Sequence, residues 1–281
     1  MPFRDVILPL VASKTLAQVF LLAMLMGVYS LLAIWKENSS VRDIAAIPSQ
    51  VHAAMSLVLG CLLVFRTNTA YNRWWEARTL WGALVNASRN LSIKLCKLTA
   101  LPREDLQSAR ELITGFSVAL KHHLRGENDS LLPSEVKLRA AGCKHIPQGI
   151  VNQLYQLVGT AKRTGVIDGD ELRVLDAELL RLLDICGGCE RILNTRIVAS
   201  FRTFARQCVF LVLLTLPWGM AKDFGWWTIV LTIIISYFMI GLEIVAEHVE
   251  EPFGYDEDDL DLDAICKTIR SSVDEIFAQA R

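Results

Sequence analysis

The chain has 281 residues, of which 52% are hydrophobic and 21% are charged, and its formal net charge is only −1. This composition is too apolar for an ordinary soluble domain, yet it leaves enough charge for extensive water-exposed segments. Because the charge is near neutral and the sequence has no basic patch with interleaved aromatic residues, a nucleic-acid-binding protein is excluded and no nucleic acid is expected as a partner.

The first 65 residues predict an interfacial segment followed by two membrane helices. Residues 1–15 form a short amphipathic lead, and residues 16–35 are an almost wholly apolar run that can cross about 30 Å of hydrocarbon. No small-residue cleavage site follows that run, so we expect a retained span rather than a signal peptide. A polar link then leads to Pro48, which suits the start of a second helix that runs to Phe65.

One face of the second helix carries a stripe of apolar side chains. Leu57, Cys61 and Phe65 recur every four residues, which places them on the same side of a helix. Nearly the same face of the helix then carries the polar residues Asn68, Asn72 and Glu76. A hydrophobic constriction above amide and carboxylate groups would suit a permeation path that gates by dewetting. Ordinary helix packing explains the same spacing, and both interpretations stay open at this point.

Residues 66–203 predict a helical cytosolic region. Apolar residues recur at helical spacing over residues 75–97, 104–124, 147–162 and 168–186, and no strand-like alternation of useful length interrupts them. The first of these stretches continues the second membrane helix without a break until Pro102. We therefore predict an all-α fold.

Residues 204–247 predict a second pair of membrane helices. The hydrophobic runs cover 208–220 and 226–242, and the first is short unless its helix begins near Phe201. Trp218, Trp226 and Trp227 cluster at the link, as an aromatic belt does. Lysines and arginines are concentrated before the first span, after the second and before the third, so we expect four spans with both termini in the cytoplasm.

Residues 248–281 predict an acidic tail and a final amphipathic helix. Six acidic residues lie between Asp256 and Asp263, directly before the apolar period of that helix resumes. Capping of the helix N-terminus by carboxylates explains this cluster. A cation site is the sharper alternative, because hard cations bind several oxygen ligands from one flexible loop. The spacing does not fit an EF-hand.

The motif CGGC at residues 186–189 is the one thiol pattern with potential chemistry. Paired thiols at this spacing can bind a metal or lower the pKa of one thiol, and Cys143 with His145 would complete a four-ligand zinc site. Redox motifs of this kind usually lie in a βαβ unit, and the sequence around residues 186–189 predicts no such unit. The chain has seven cysteines, an odd number, so we favour reduced, packed thiols over a metal site or a disulfide framework.

No other motif predicts catalysis. His122 and His123 are neighbours that point to different sides of a helix, which disfavours a metal shared between them. The sequence contains no nucleophile elbow, P-loop or zincin pattern. We therefore expect neither enzymatic activity nor a cofactor, and we predict no metal site.

The chain resembles the bestrophin family of ion channels, in its bacterial branch. Three segments carry the resemblance: RTNTAYNRWWEAR at residues 66–78, GCERILNT at residues 188–195, and EEPFGYDEDDLDLDAIC, which ends at Cys266. The first is long enough to be highly specific. The resemblance implies a homopentamer around one central pore, with four membrane helices per subunit and a large helical cytosolic region.

The resemblance also implies positions along the pore. Counted back from the Arg-Trp-Trp element, the narrow neck falls on Leu57, Cys61 and Phe65, the stripe found by spacing. A lower constriction near the cytosolic exit falls around Ile192 and Thr195. Characterised bacterial relatives are cation-selective and independent of calcium, so the resemblance implies passive conduction of small monovalent cations such as sodium. An anion channel for chloride, as in animal relatives, is the alternative.

The sequence departs from the family pattern at two places. Arg196, Ile197 and Val198 stand where the family usually has Pro-Ile-Pro, and Glu251 replaces the usual asparagine. Asp256 and Asp259 fall on the positions that bind calcium in animal members, although we favour a channel without calcium regulation.

The expected partners are further copies of the chain, the lipid bilayer and permeant monovalent ions. The expected location is the inner membrane of the cell, as a multi-pass protein. A hypothesis from another class is a non-conducting membrane scaffold that docks a partner through its acidic tail, and a third is a thiol-redox enzyme built on Cys186 and Cys189.

Overall fold

A computed structural model of the chain describes residues 13–40, 48–127, 143–195 and 198–279. The described residues form eight α-helices and no β-strand, which confirms the all-α prediction. The helices are α1 (Lys14–Glu37), α2 (Ser49–Leu98), α3 (Arg103–Arg125), α4 (Ile146–Arg163), α5 (Gly169–Asn194), α6 (Ala199–Phe224), α7 (Trp227–Glu250) and α8 (Leu262–Ala278). Most of the predicted N-terminal lead, and Arg196 and Ile197, lie outside the described residues.

Several helices are longer than the hydrophobic runs that predicted them. Helix α2 is unbroken over 50 residues, as its continuous period indicated. Helix α5 passes through both glycines of the CGGC motif and ends eight residues later than predicted, at Asn194. Helices α6 and α7 extend past their apolar runs into charged residues, because Arg206 of α6 pairs there with Glu243 and Glu247 of α7.

The chain divides into two compact units, and the division falls within α2, after Trp74. The first contains α1, the N-terminal half of α2, α6 and α7. The second contains the rest of α2 with α3, α4, α5 and α8.

In the first unit, small side chains face inward and large apolar side chains face outward. Helix α1 buries Ala23, Gly27 and Ser30, and α7 buries Thr228, Thr232 and Ser236 at four-residue spacing. Small residues let helix backbones approach closely, which is how helices associate in lipid. At Gly27, a Cβ atom would lie 2.5 Å from Cγ1 of Ile233 on α7. The outward face is mostly apolar, with residues such as Phe20, Leu21 and Phe238 more than half exposed.

This distribution suits a lipid environment. Four helices of the described residues are long and apolar enough to cross a membrane: α1, α2, α6 and α7. The four predicted spans are therefore confirmed by length and composition. Leu59 and Leu63 of α2 pack with Val209, Val212 and Leu213 of α6 in the centre of this unit. This contact turns one face of α2 toward the chain's own helices.

The second unit has an ordinary hydrophobic core. Helix α3 packs against α4, α5 and α8, and α4 also packs against α5. The core includes fully buried side chains from each helix, among them Trp81, Phe116, Leu154, Leu179 and Ile269. Asp168 begins α5 with a capping box to Glu171, which satisfies backbone N–H groups at the helix start. Helix α3 ends at Gly126, whose φ of 63° favours glycine.

Candidate functional site

The predicted neck residues lie on the part of α2 that its own chain leaves uncovered. Leu57 is 71% exposed, Phe65 is 69% exposed, and Cys61 is also exposed. The opposite face of the same turns is buried, with Leu59 and Leu63 each at most 3% exposed. Large apolar side chains exposed in a stripe are expected to meet another surface rather than water.

A buried arginine fixes the orientation of this helix. Arg66 follows Phe65 directly and is 0% exposed, with its Nε atom 2.8 Å from Oε2 of Glu243 on α7. Its Nη2 atom lies 3.9 Å from Oε2 of Glu250 at the end of α7. Arg206 of α6 reaches the other oxygen of Glu243 at 3.1 Å. A buried charge is tolerated only when it is paired, so this cluster ties α2, α6 and α7 together next to the predicted neck residue Phe65.

Sequence reasoning missed this role of Arg66. The sequence places Arg66 among the basic residues that follow the second span, whereas the structure buries it completely. A usable signal was present in Glu243, Glu247 and Glu250, three acidic residues near the end of the last span. Acidic side chains in such a place need a cationic partner, and the arginine that ends the second span is a natural one.

After the predicted neck residues, α2 exposes amide side chains, while Arg66 and Arg73 contact other parts of the first unit. Asn68 and Asn72 are exposed. Arg73 is half-buried, and its Nε donates to the backbone oxygen of Glu250 at 3.3 Å. From Gln50 to Asn72, therefore, the exposed residues of α2 include no charged side chain.

Glu76, the next residue on the predicted face, belongs to the second unit. Its Oε1 accepts a short hydrogen bond from Nη2 of Arg191 on α5. Both side chains are partly exposed, at 43% for Glu76 and 66% for Arg191. The negative charge of Glu76 is thus balanced by a neighbouring guanidinium.

The two residues predicted for the cytosolic constriction differ in exposure. Thr195 is exposed at the C-terminal end of α5, and its backbone N–H caps the helix by donating to the oxygen of Arg191. Ile192, one turn earlier, is only 3% exposed and belongs to the core of the second unit.

The acidic tail supplies contacts within each unit. Asp256 is exposed in the first unit, where the neighbouring Asp258 accepts through its backbone oxygen from Nε1 of Trp74 at 3.0 Å. Asp259 is half-buried in the second unit, and Asp261 caps α8 by accepting from the N–H of Ala264 at 2.8 Å. The predicted capping of α8 by a carboxylate is present.

The structure does not form the four-ligand thiol site considered for zinc. Cys186 and Cys189 are buried, while Cys143 is exposed. Burial and the nearby Glu190 raise the pKa of Cys186 to about 12, and burial also raises the pKa of Cys189. These thiols therefore stay protonated at neutral pH, which disfavours both thiolate ligation and thiol-redox catalysis. Close packing explains the motif, since a Cβ at Gly188 would lie 3.0 Å from Leu80.

Comparisons with known proteins show the family to which the chain belongs. A family model described as Bacterial/Fungal Bestrophin protein matches residues 3–275. A voltage-dependent anion channel-forming protein of Nostoc sp. is 34% identical over 230 residues, which cover 79% of this chain and 75% of the relative. A protein of Mesorhizobium japonicum with the same description is 32% identical over 278 residues, covering 96% and 87%.

Solved structures agree with this assignment. A crystal structure of a bacterial bestrophin homologue from Klebsiella pneumoniae, carrying a single substitution, matches with a TM-score of 0.85 at 26% identity, covering 95% of this chain and 100% of that chain. A second variant of that homologue matches with a TM-score of 0.83 at 27% identity, covering 93% and 98%. The resemblance carried by the three sequence segments is thereby confirmed. The chain is a membrane protein that belongs to the bestrophin family of ion channels, in its bacterial and fungal branch.

Proposed function

We propose that five copies of the chain assemble around a central axis into a passive channel for small monovalent ions. The channel lies in the inner membrane, with both chain termini and the cytosolic regions 66–203 and 248–281 in the cytoplasm. Leu57, Cys61 and Phe65 of each subunit line a hydrophobic neck. Neither an enzymatic step nor a cofactor is involved.

The observation that carries this proposal is the uncovered stripe on α2. Leu57 and Phe65 expose about seven tenths of their surface, while Arg66 and Leu63 hold the other side of the helix against α6 and α7. Five such faces around an axis would cover one another and enclose a narrow apolar passage. Apolar constrictions of this kind control ion flow by excluding water when they are narrow.

Side chains beyond the neck extend the proposed path. Asn68 and Asn72 offer amide oxygens that can replace part of an ion's hydration shell, and Glu76 follows them by helical spacing. Near the cytosolic exit, Thr195 is exposed and suits a pore-lining role. Ile192 lines the exit only if its side chain leaves the core, so we place the main contribution to this constriction at Thr195.

We propose selectivity for cations, which the resemblance to characterised bacterial relatives implies. The uncharged neck bears no cationic side chain on its exposed face, and the amide oxygens that follow it suit a cation. One aromatic ring per subunit, Phe65, offers few positive ring edges to an anion. Anion conduction is the second candidate, and the descriptions of the Nostoc and Mesorhizobium relatives as anion channel-forming proteins favour it.

The reversal potential in a planar lipid bilayer tests both parts of the proposal. Purified protein is reconstituted under a gradient of potassium chloride, with a mock purification from cells lacking the protein as the control. We expect current that reverses near the equilibrium potential of potassium. Reversal near that of chloride would establish the anion candidate, and a reconstituted oligomer without current would contradict a channel and favour a membrane scaffold.

A further inference from the structure

Three potential metal ligands from separate elements meet in the second unit. His123 lies in the last turn of α3, His145 lies immediately before α4, and Glu190 lies near the end of α5. Nε2 of His123 is 2.8 Å from Oε1 of Glu190, and Nε2 of His145 makes a still shorter contact with the same oxygen. Each side chain is about one third exposed, so solvent reaches the cluster.

The spacing of these atoms suits a small divalent cation. One ligand atom from each residue lies within 4.8 Å of the other two. Tetrahedral zinc has bonds of about 2.0–2.2 Å to imidazole nitrogen and carboxylate oxygen, which separates its ligand atoms by about 3.3–3.5 Å. A small outward shift of the two imidazoles from Glu190 therefore opens room for the ion. The rings are already close, with centroids 4.6 Å apart.

The donor atoms of the cluster also suit a cation. An imidazole nitrogen of His123 and one of His145 face the same carboxylate oxygen of Glu190. Two imidazoles and one carboxylate are the donors that zinc and similar divalent transition metals accept in proteins.

We propose that His123, His145 and Glu190 form a binding site for a divalent transition metal ion, with zinc as the best match. Water occupies the fourth position, as in zinc sites with three protein ligands. The ion joins α3, α4 and α5 in place of the present hydrogen bonds. The proposal concerns residues outside the membrane spans and does not depend on whether the protein conducts ions.

Binding has an identifiable local cost at His145. Its Nδ1 now accepts the backbone N–H of Gln148 at 3.1 Å and caps α4. Ligation through Nε2 places the ring proton on Nδ1 and removes this cap, which lowers the affinity by about fivefold. We therefore expect dissociation constants in the micromolar range rather than those of a closed four-ligand site.

Calorimetric titration with zinc chloride tests the site. The full chain is used in detergent, after removal of any affinity tag that contains histidine and after treatment with a chelator. We expect saturable binding of one zinc ion per chain, and a loss of at least about tenfold in affinity in both His123→Asn and Glu190→Gln. His122→Asn is the matched control, because the neighbouring His122 pairs with Glu127 instead.

Cobalt absorption identifies the ligands independently. We expect the d–d bands of Co²⁺ bound by nitrogen and oxygen, without a thiolate charge-transfer band, and we expect Cys143→Ser and Cys186→Ser to leave zinc binding unchanged. Three results would overturn the proposal: no saturable zinc binding, unchanged binding in Glu190→Gln and His123→Asn, or binding that is lost only in the cysteine variants.

Discussion

Arg66 shows how a single residue can position a whole helix face. The guanidinium is completely buried, yet Glu243 lies 2.8 Å from it and Glu250 lies 3.9 Å from it. Removal of one partner from a buried ion pair leaves an uncompensated charge, which typically costs about 3–5 kcal/mol. The arrangement therefore holds the rotation of α2 about its axis and keeps the preceding residue, Phe65, turned outward.

Cys61 offers a direct chemical test of the neck at the residue scale. A charged methanethiosulfonate reagent should reduce the current of the wild-type channel, because its adduct would sit in the narrowest part of the path. Cys61→Ala should abolish this effect and raise the single-channel conductance, since the smaller side chain widens the neck. Current recorded before and after addition of the reagent to reconstituted bilayers gives the measurement.

The chain provides a matched control for this experiment. Cys143 is another exposed cysteine, but it lies outside the membrane spans. Cys143→Ser should therefore respond to the reagent as the wild type does. An unchanged current in the wild-type protein, together with an unchanged conductance in Cys61→Ala, would remove Cys61 from the neck.

At the scale of elements, α3 and α8 are joined by charged pairs as well as by their apolar faces. Asp263 in the first turn of α8 accepts from Nζ of Lys121 at 2.8 Å and from Nη1 of Arg125 at 3.1 Å. Nearer the start of α3 and the end of α8, Nε of Arg110 lies 2.7 Å from Oδ1 of Asp274. The hydrogen bond from Lys121 is the largest cause of a pKa for Asp263 below its ordinary value of 3.8, and Arg125 adds to it.

This pairing predicts that the wild type is more stable than Asp263→Asn by an amount that depends on pH. Because the folded-state pKa of Asp263 is depressed, its stabilising effect is complete above pH 3.8 and disappears as the pH falls through the lower folded value. The side chain of Asp263 is 53% exposed, so we expect its ion pairs to contribute only about 0.2–1 kcal/mol to the free energy of unfolding, as other solvent-exposed pairs do. Hydrogen exchange of the α8 amides should be about 1.4- to fivefold faster in the variant at neutral pH, which is the same free energy expressed as a ratio of rates.

The control for this prediction is Asp223→Asn. Asp223 is exposed near the end of α6, and its substitution removes the same charge without touching α3 or α8. Exchange in α8 should then match the wild type. A difference between Asp263→Asn and the wild type that stays constant down to the lowest pH would contradict the ionic contribution of Asp263.

At the scale of the whole molecule, the proposed pentamer predicts a defined mass. Native mass spectrometry of the detergent-solubilised protein should give five times the 31.5 kDa of one chain. The physical reason is that α2 leaves Leu57, Val58 and Phe65 at least about two thirds exposed, and a ring of subunits would cover them. The same sample in denaturing detergent should give the single chain, and a stable assembly of another size would contradict the proposed ring.

Much of the fold follows from patterns that are local in the sequence. The four spans, the all-α architecture and the stripe of Leu57, Cys61 and Phe65 depend on hydrophobicity and helical period, which neighbouring residues determine. Helix ends were less well predicted at the end of α5, the start of α6 and the end of α7, because charged residues lie there. Those residues pair with partners on other helices, and the hydropathy of a short stretch of sequence does not include such partners.

The sequence by itself determined the four apolar spans and the family, because each resides in contiguous residues, such as the motif at 66–78. Only the tertiary structure decided which charged and ligating side chains meet. Glu190 contacts His123 and His145, which lie 67 and 45 residues away in the chain. Arg66 of α2 likewise pairs with Glu243 of α7. Such contacts depend on how the helices pack, and the spacing of residues along the chain does not encode them.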